Sequence, residues 1–241
     1  ALSGPGGHDR GDRPAGPGGE GSPGGGLAPA RRLTVTTVQN VAYSIGVDVG
    51  GTKILAGLVD DQGRPMATRR EPTPRGDAGA ALDVVARLVN ELVAEADGPV
   101  AGVGLDVPGP CDASGSTVFF APNLGWQDVP VRAMLAEKIG LPVLVENDGN
   151  TAAWGEFRHG AGRTLDGLVM VTVGTGIGGG IIIDGVLIRG AHGAAGEIGH
   201  MNVVVNGRPC GCGRNGCWEQ YGSGNALVRK ARSLAAERRA E

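Results

Sequence analysis

Aromatic side chains are scarce: three Trp, two Tyr and three Phe make up 3% of the 241 residues. A core must therefore be aliphatic, and a hydrophobic content of 41% is enough to build one. Charge of neither sign dominates, with a net charge of −3. No basic stripe of the kind carried by nucleic-acid binders is present, so no nucleic-acid partner is expected. No apolar run approaches the roughly 18–20 residues that cross a bilayer. The first stretch, ALSGPGGHDRGDRPAGPGGEGSPGGG, lacks the apolar segment of a signal peptide. The expectation is a cytoplasmic protein with no membrane partner. Cysteine is limited to four residues, three of them clustered. That excludes a disulfide framework and fits metal ligands in a reducing compartment.

Glycine, by contrast, is abundant, at 46 residues. Many of them lie in residues 1–40, a Gly/Pro-rich stretch with almost no large apolar side chain before Leu33. Such a segment cannot bury enough surface to offset its ordering entropy, and it is expected to be a disordered tail. Order is expected from VAYSIGVDVGGTKILAGLVDDQGRPMATRREPTP onward. There, two β-rich runs flank Gly50-Gly51, and a DDQGR turn leads to a third, as in an antiparallel meander. Residues 77–96 place Leu82, Val85, Leu88, Val89 and Leu92 at helical spacing. PVAGVGLDVPG reads as a buried strand, VPVRAMLAEKIG as a short helix stopped at Gly140, LPVLVEND as a strand and GNTAAWGEFRHG as a helix. A second strand–turn–strand unit follows at 166–188, echoing the first. These features divide the chain into residues 1–40, an α/β lobe over 41–148 and the start of a second lobe over 149–241. GSGNALVRKARSLAAERRAE closes the sequence as an amphipathic helix.

The glycine turns carry the first chemical signal. In DVGGTK, Gly50 and Gly51 let backbone N–H groups approach an anion, Thr52 adds a hydroxyl, Lys53 a point charge, and Asp48 an oxygen ligand for Mg²⁺. An ordinary Gly-Gly hairpin turn fits the same residues. VGTGIGGG repeats the arrangement with Thr175 and Gly176. VENDGNTAAW sets Asn147 and Asp148 where a strand enters a helix; Asp148 is either a general base or a helix cap. In PNLGW, after a strand and before a helix, Asn123 is either a ligand-facing amide or a turn former. Glu197 and His200 are three apart in GAAGEIGH and share a face on a helical turn, with Glu219 further on, a wall suited to a polyhydroxyl ligand.

His200, Cys210, Cys212 and Cys217 form H-x9-C-x-C-x4-C. Three thiolates and one imidazole make a closed tetrahedral set, the pattern of structural rather than catalytic Zn²⁺. Gly211, Gly213 and Gly216 let the backbone wrap the ion, which would pin the loop carrying Glu197, His200 and Glu219. Cys111 has no ligand spacing and reads as structural.

Taken together, IGVDVGGTK, VPGPCDASG, APNLGW, ENDGNTAAWGE, GTGIGGGI, GEIGHM and CGCGRNGCWEQYGSG resemble the ROK family (repressors, open reading frames, kinases), and within it the ATP-dependent glucokinases. The resemblance covers about residues 43–241. It implies an actin-like ATPase (ribonuclease H-like) α/β fold whose two lobes close on glucose or a related hexose and on ATP with Mg²⁺. It implies that Asp148 deprotonates the sugar 6-hydroxyl. Gly109, Asn123, Asn147, Glu197, His200 and Glu219 would bind sugar. Asp48, Gly50, Gly51, Thr52 and Lys53 would serve the first phosphate motif and Thr175 and Gly176 the second. His200, Cys210, Cys212 and Cys217 would hold Zn²⁺, His200 using its other ring nitrogen on the sugar side. It also implies a homo-oligomer, dimer or tetramer. The family pattern continues past Glu241, so the chain reads as C-terminally cut with its second lobe incomplete. The alternatives are a kinase for N-acetylmannosamine, N-acetylglucosamine or fructose, and a sugar-sensing repressor. Against a repressor, residues 1–40 show no helical periodicity and no basic recognition helix.

Overall fold

The structure, a computed structural model, describes residues 43–240. The tail expected over residues 1–40 lies outside the described residues. The chain opens with β1 (Tyr43–Val49), β2 (Lys53–Asp60) and β3 (Pro65–Pro72), an antiparallel meander as the turn signals imply. Asp60 fixes the second turn, its Oδ1 accepting from the Gln62 and Arg64 amides at 3.0 and 2.8 Å. Helix α1 (Ala78–Glu95) starts at Asp77, whose carboxylate accepts from Ala80 N at 3.0 Å. The stripe of Ala81, Leu82, Val85, Leu88, Val89 and Leu92 is fully buried.

The chain then crosses over to β4 (Val100–Val107), parallel to β1. A short hairpin, β5 (Val118–Ala121) and β6 (Trp126–Val129), precedes α2 (Val131–Ile139). PNLGW is thus the turn of a hairpin and does not run directly into a helix, because Trp126 is drawn into the core and the strand it starts pairs back on β5. Gly140 ends α2 in the left-handed region, at φ +66°. Next comes β7 (Val143–Asn147), parallel to β4, giving the order β3-β2-β1-β4-β7.

Helices α1 and α2 cover one face of this sheet, where Ile45, Val47, Val49, Leu105, Val107 and Val145 point. β4 is consequently half-covered rather than wholly buried: its residues alternate, and Gly46, Gly104 and Leu144 lie on the open face. Replacing Leu82, which is 0% exposed, by Ala is expected to cost about 3 kcal/mol. Urea unfolding read by circular dichroism checks it.

Helix α3 (Asp148–His159) leaves the end of β7 and packs on a second sheet, β8 (Leu168–Val173), β9 (Ile177–Ile183) and β10 (Val186–Leu187), in the order β10-β9-β8. The contact is close because β9 offers glycine. A Cβ at Gly180 would come within 2.5 Å of the Ala153 Cβ, and one at Gly149 within 2.6 Å of Gly179 O. A 3₁₀ turn at Ile198–His200, α4 (Glu219–Gly222) and α5 (Gly224–Ala240) complete the described residues. The amphipathic stripe of α5 is present, but Leu227, Val228 and Leu234 on it are exposed. No helix among the described residues is long and apolar enough to cross a membrane.

Candidate active site

Three parallel strands end side by side, and their register sets the site. Asp48 on β1 pairs with Asp106 on β4, and Asp106 with Glu146 on β7. The three carboxylates therefore form a row across the open face, lining a cavity of about 390 Å³. Burial, then the charges of Asp48 and Asp148, push the Asp106 carboxyl up from 3.8 to about 8. Between those values the folded chain keeps a proton that the unfolded chain releases. Stability from this group is complete below 3.8 and is lost as pH rises toward 8. Asp106→Asn is expected to remove that loss and to stabilise the metal-free chain near pH 8 by roughly 1–3 kcal/mol. Urea melts at pH 5 and pH 8 check this; an unchanged pH dependence in the variant contradicts it.

Asp148 is the first residue of α3, next to the row. The Asn147 side chain caps the helix: its Oδ1 accepts from Asn150 N at 3.1 Å. Its Nδ2 donates to Gly109 O at 3.2 Å and to Asp148 Oδ1 at 3.0 Å. Both amide hydrogens are thus committed, which leaves Asn147 little capacity toward a ligand. Asp148 Oδ1 also accepts from Gly149 N at 2.8 Å. No residue among those described donates to Oδ2. Burial raises the Asp148 carboxyl above its ordinary range, the Gly149 amide opposes the rise, and Asp48 adds to it.

Two glycine turns stand near these carboxylates. In the first, Gly50 N donates to Lys53 O at 2.9 Å, Thr73 Oγ1 donates to Gly50 O at 2.7 Å, and Arg75 Nε donates to Gly51 O at 3.2 Å. Thr52 is exposed, and Gly51 lies against the Asn123 backbone in the β5–β6 turn. In the second, Gly174 N donates to Gly176 O at 3.0 Å, while Gly224 N and Asn225 N donate to Gly174 O and Thr175 O at 2.8 and 3.3 Å. The Glu219 carboxylate accepts from Ile177 N at 3.0 Å and fills the space beside Gly176, where a Cβ would approach it to 2.3 Å. Glu219 is therefore tied to this turn, and it remains near enough to Glu197 for their charges to interact.

Burial raises the Glu197 carboxyl, His200 lowers it, and Asp148 and Glu219 raise it again. These shifts place Glu197 in one electrostatic neighbourhood with Asp148, His200 and Glu219. The His200 ring faces two ways, with Nε2 3.8 Å from Glu197 Oε2 and Nδ1 3.5 Å from Cys210 Sγ.

The ligand atoms of His200, Cys210, Cys212 and Cys217 all lie within 4.8 Å of one another. Cys212 Sγ and Cys217 Sγ are 3.6 Å apart. Tetrahedral Zn–S bonds of about 2.3 Å imply a sulfur separation of about 3.8 Å, so the donor set and spacing fit Zn²⁺. Gln220 Nε2 donates to Cys210 Sγ at 3.6 Å, an outer hydrogen bond of the kind that orients a thiolate ligand. Gly216 takes φ +76°, and a Cβ there would strike Val204 O at 1.8 Å, so this wrap of the loop requires glycine. Cys111 is buried beside β5, its thiol pushed up to about 12, mainly by burial.

Sequence reasoning missed Asp106, Glu146, Asn150 and Arg189. An Asp near the end of a strand that feeds a ligand crevice was the available signal for the first. Arg189 Nε donates to Glu146 Oε2 at 2.6 Å across 43 positions, a pairing without a local sign.

A family model, the ROK family, matches residues 44–241. The glucokinase of Streptomyces coelicolor is 46% identical over 208 residues, 83% of this chain and 63% of that protein. The xylose repressor of Bacillus subtilis is 34% identical over 215 residues, 88% of this chain and 55% of that protein. A solved ROK family glucokinase from Streptomyces griseus, in complex with glucose and AMPPNP, shares 47% identity with a TM-score of 0.73 over 81% of this chain and 62% of its own. The chain thus spans less than two thirds of the length of these relatives. With its order of strands, its paired glycine turns and a match over nearly all the described residues, the chain belongs to the ROK family and has the actin-like ATPase fold.

Proposed function

We propose that the protein is a hexose kinase, and a glucokinase in particular, transferring the γ-phosphoryl group of Mg-ATP to the 6-hydroxyl of glucose. The single observation that carries this reading is Asp148. It is a carboxylate open to solvent at the start of α3, with one oxygen held by Asn147 and Gly149 and the other without a donor among the described residues. That free oxygen is the atom that would take the hydroxyl proton as the sugar oxygen attacks phosphorus. Asn147 acts by fixing the Asp148 rotamer. Glu197 and His200 supply acceptors and a donor for sugar hydroxyls, and Asn123 approaches from the β5–β6 turn. The 46% identity to a Streptomyces glucokinase supports glucose as the acceptor.

The turns at Gly50–Lys53 and Gly174–Gly176 would hold the phosphates through backbone N–H groups, with Thr52, Lys53 and Thr175 beside them. Asp48 is an oxygen donor of the kind Mg²⁺ accepts. Bound there, Mg²⁺ would neutralise charge on the transferring phosphoryl group. Zn²⁺ in the Cys210–Cys217 loop would fix the position of His200 and take no part in the reaction. We further propose that residues 41–148 and 149–241 belong to two lobes that approach each other on hexose binding, that the protein works in the cytoplasm, and that it forms a dimer or tetramer.

A second reading, a sugar-responsive regulator, draws on the 34% identity to a xylose repressor. One experiment separates the two. The chain, extended to the length of its relatives, is assayed for ADP release with Mg-ATP and glucose, N-acetylmannosamine, N-acetylglucosamine or fructose. Turnover with glucose above the others supports the glucokinase reading. No turnover with any sugar, together with hexose binding by calorimetry, favours the regulator.

A further inference from the structure

We propose that the Arg189–Glu146 ion pair is a positioning device that locks the 189–200 loop, with Glu197 and His200, against the start of the Asp148 helix. The chemistry it serves rests on the hexose-kinase reading above; the coupling itself rests on the hydrogen bonds alone.

Glu146 distributes its carboxylate between two parts of the chain. Its Oε2 accepts from Arg189 Nε at 2.6 Å. Its Oε1 accepts from Asn150 Nδ2 at 3.0 Å and Asn147 N at 3.1 Å. Asn147 and Asn150 are joined by the helix-capping bond, and Asn147 Nδ2 holds Asp148 Oδ1. One carboxylate thus connects the Arg189 guanidinium to the group that orients the base.

The far side of the pair is equally tied. Arg189 O accepts from Ala195 N at 3.0 Å, closing the loop on itself. Inside it, Gly193 lies so near Cys111 that a Cβ would come within 1.9 Å of Cys111 O, and a Cβ at Gly196 would come within 2.9 Å of Gly179 O. The loop then enters the turn that carries Glu197 and His200. Among the described residues, Arg189 is the guanidinium bonded to the row of Asp48, Asp106 and Glu146, and it meets the row at its β7 end.

An ordinary surface ion pair contributes little. This one differs in that the Glu146 side chain is only 19% exposed and both its oxygens are engaged. Removing either partner leaves the other charge in a half-buried acidic row, and a shift of about 1 Å in a positioned group is enough to slow catalysis strongly.

The test compares Arg189→Gln, Glu146→Gln and the double variant, with Arg189→Lys as the conservative one. Hydrogen exchange and glucose calorimetry are run on the chain itself, and steady-state kinetics on the chain extended to its relatives' length. Each single Gln variant should speed amide exchange over residues 190–200, raise KM for glucose and lower kcat by about tenfold, with KM for ATP unchanged. The double variant should be no worse than the worse single, because the two residues act as one unit. Arg189→Lys should recover part of the loss. Additive losses, or singles with unchanged exchange and unchanged kcat, overturn the proposal. If the parent shows no turnover, the kinase reading falls, and exchange alone decides the coupling: faster exchange in both singles supports it, and unchanged exchange overturns it.

Discussion

Asp148→Asn is expected to lower kcat with glucose by about a thousandfold while leaving glucose affinity within a few-fold of the parent. The substitution keeps shape and hydrogen-bond reach but removes the oxygen that would accept the proton. The α3 start should survive, because its cap is the Asn147 side chain, whose oxygen holds Asn150 N at 3.1 Å. The pH dependence follows from the same carboxylate. Burial holds Asp148 above its ordinary range. A base must be ionised, so kcat/KM should fall as pH drops through that raised value, at a higher pH than an unperturbed aspartate would give. Steady-state rates from pH 5 to 9 on the parent and on Asp148→Asn check both points. An Asp148→Asn variant within tenfold of the parent would remove Asp148 from the chemistry.

The second large effect is on the metal. The protein is expected to bind one Zn²⁺ per chain, and Cys217→Ser or strong chelation should lower the melting temperature by roughly 10 °C or more. Cys217 is fully buried, with its sulfur 3.6 Å from that of Cys212. Without an ion, the sulfur atoms have only weak contacts with one another, and the loop is left to backbone bonds such as Cys210 N to Arg214 O at 2.8 Å and Gly216 N to Arg208 O at 2.7 Å. The effect should reach the sugar wall, since His200 faces Cys210 with Nδ1 and Glu197 with Nε2. Glucose affinity is expected to fall about tenfold or more, with ATP affinity little changed. Elemental analysis, thermal melts and glucose titrations with and without chelator check these outcomes. Full stability and full affinity in a zinc-free chain would show that the cysteines are only packed thiols.

Much of this architecture is legible in the residues. The opening meander reads from the β-rich runs around Gly50-Gly51 and its DDQGR turn, and α1 from a stripe at helical spacing. The His200–Cys217 cluster reads from ligand spacing, because a metal set is a local pattern along one loop. What is not legible depends on pairing between distant segments. The strands β5 and β6 have four residues each, too short for a period to show, and their existence depends on Trp126 finding the core. Asp106 reads as one polar residue in an apolar strand. Only the register of β1, β4 and β7 reveals that it stands between Asp48 and Glu146. Asn147 reads as a ligand residue, yet its amide is spent on Asn150, Gly109 and Asp148, a fact of geometry that no spacing encodes.

The most direct measurement is of the product. The chain, extended to the length of its relatives, is incubated with Mg-ATP and glucose, and the mixture is followed by ³¹P–¹H correlation spectroscopy. A new phosphomonoester resonance coupled to the protons on carbon 6 is expected, growing with ADP and absent in Asp148→Asn. Inorganic phosphate and ADP without a sugar phosphate, or a spectrum that does not change, would contradict it.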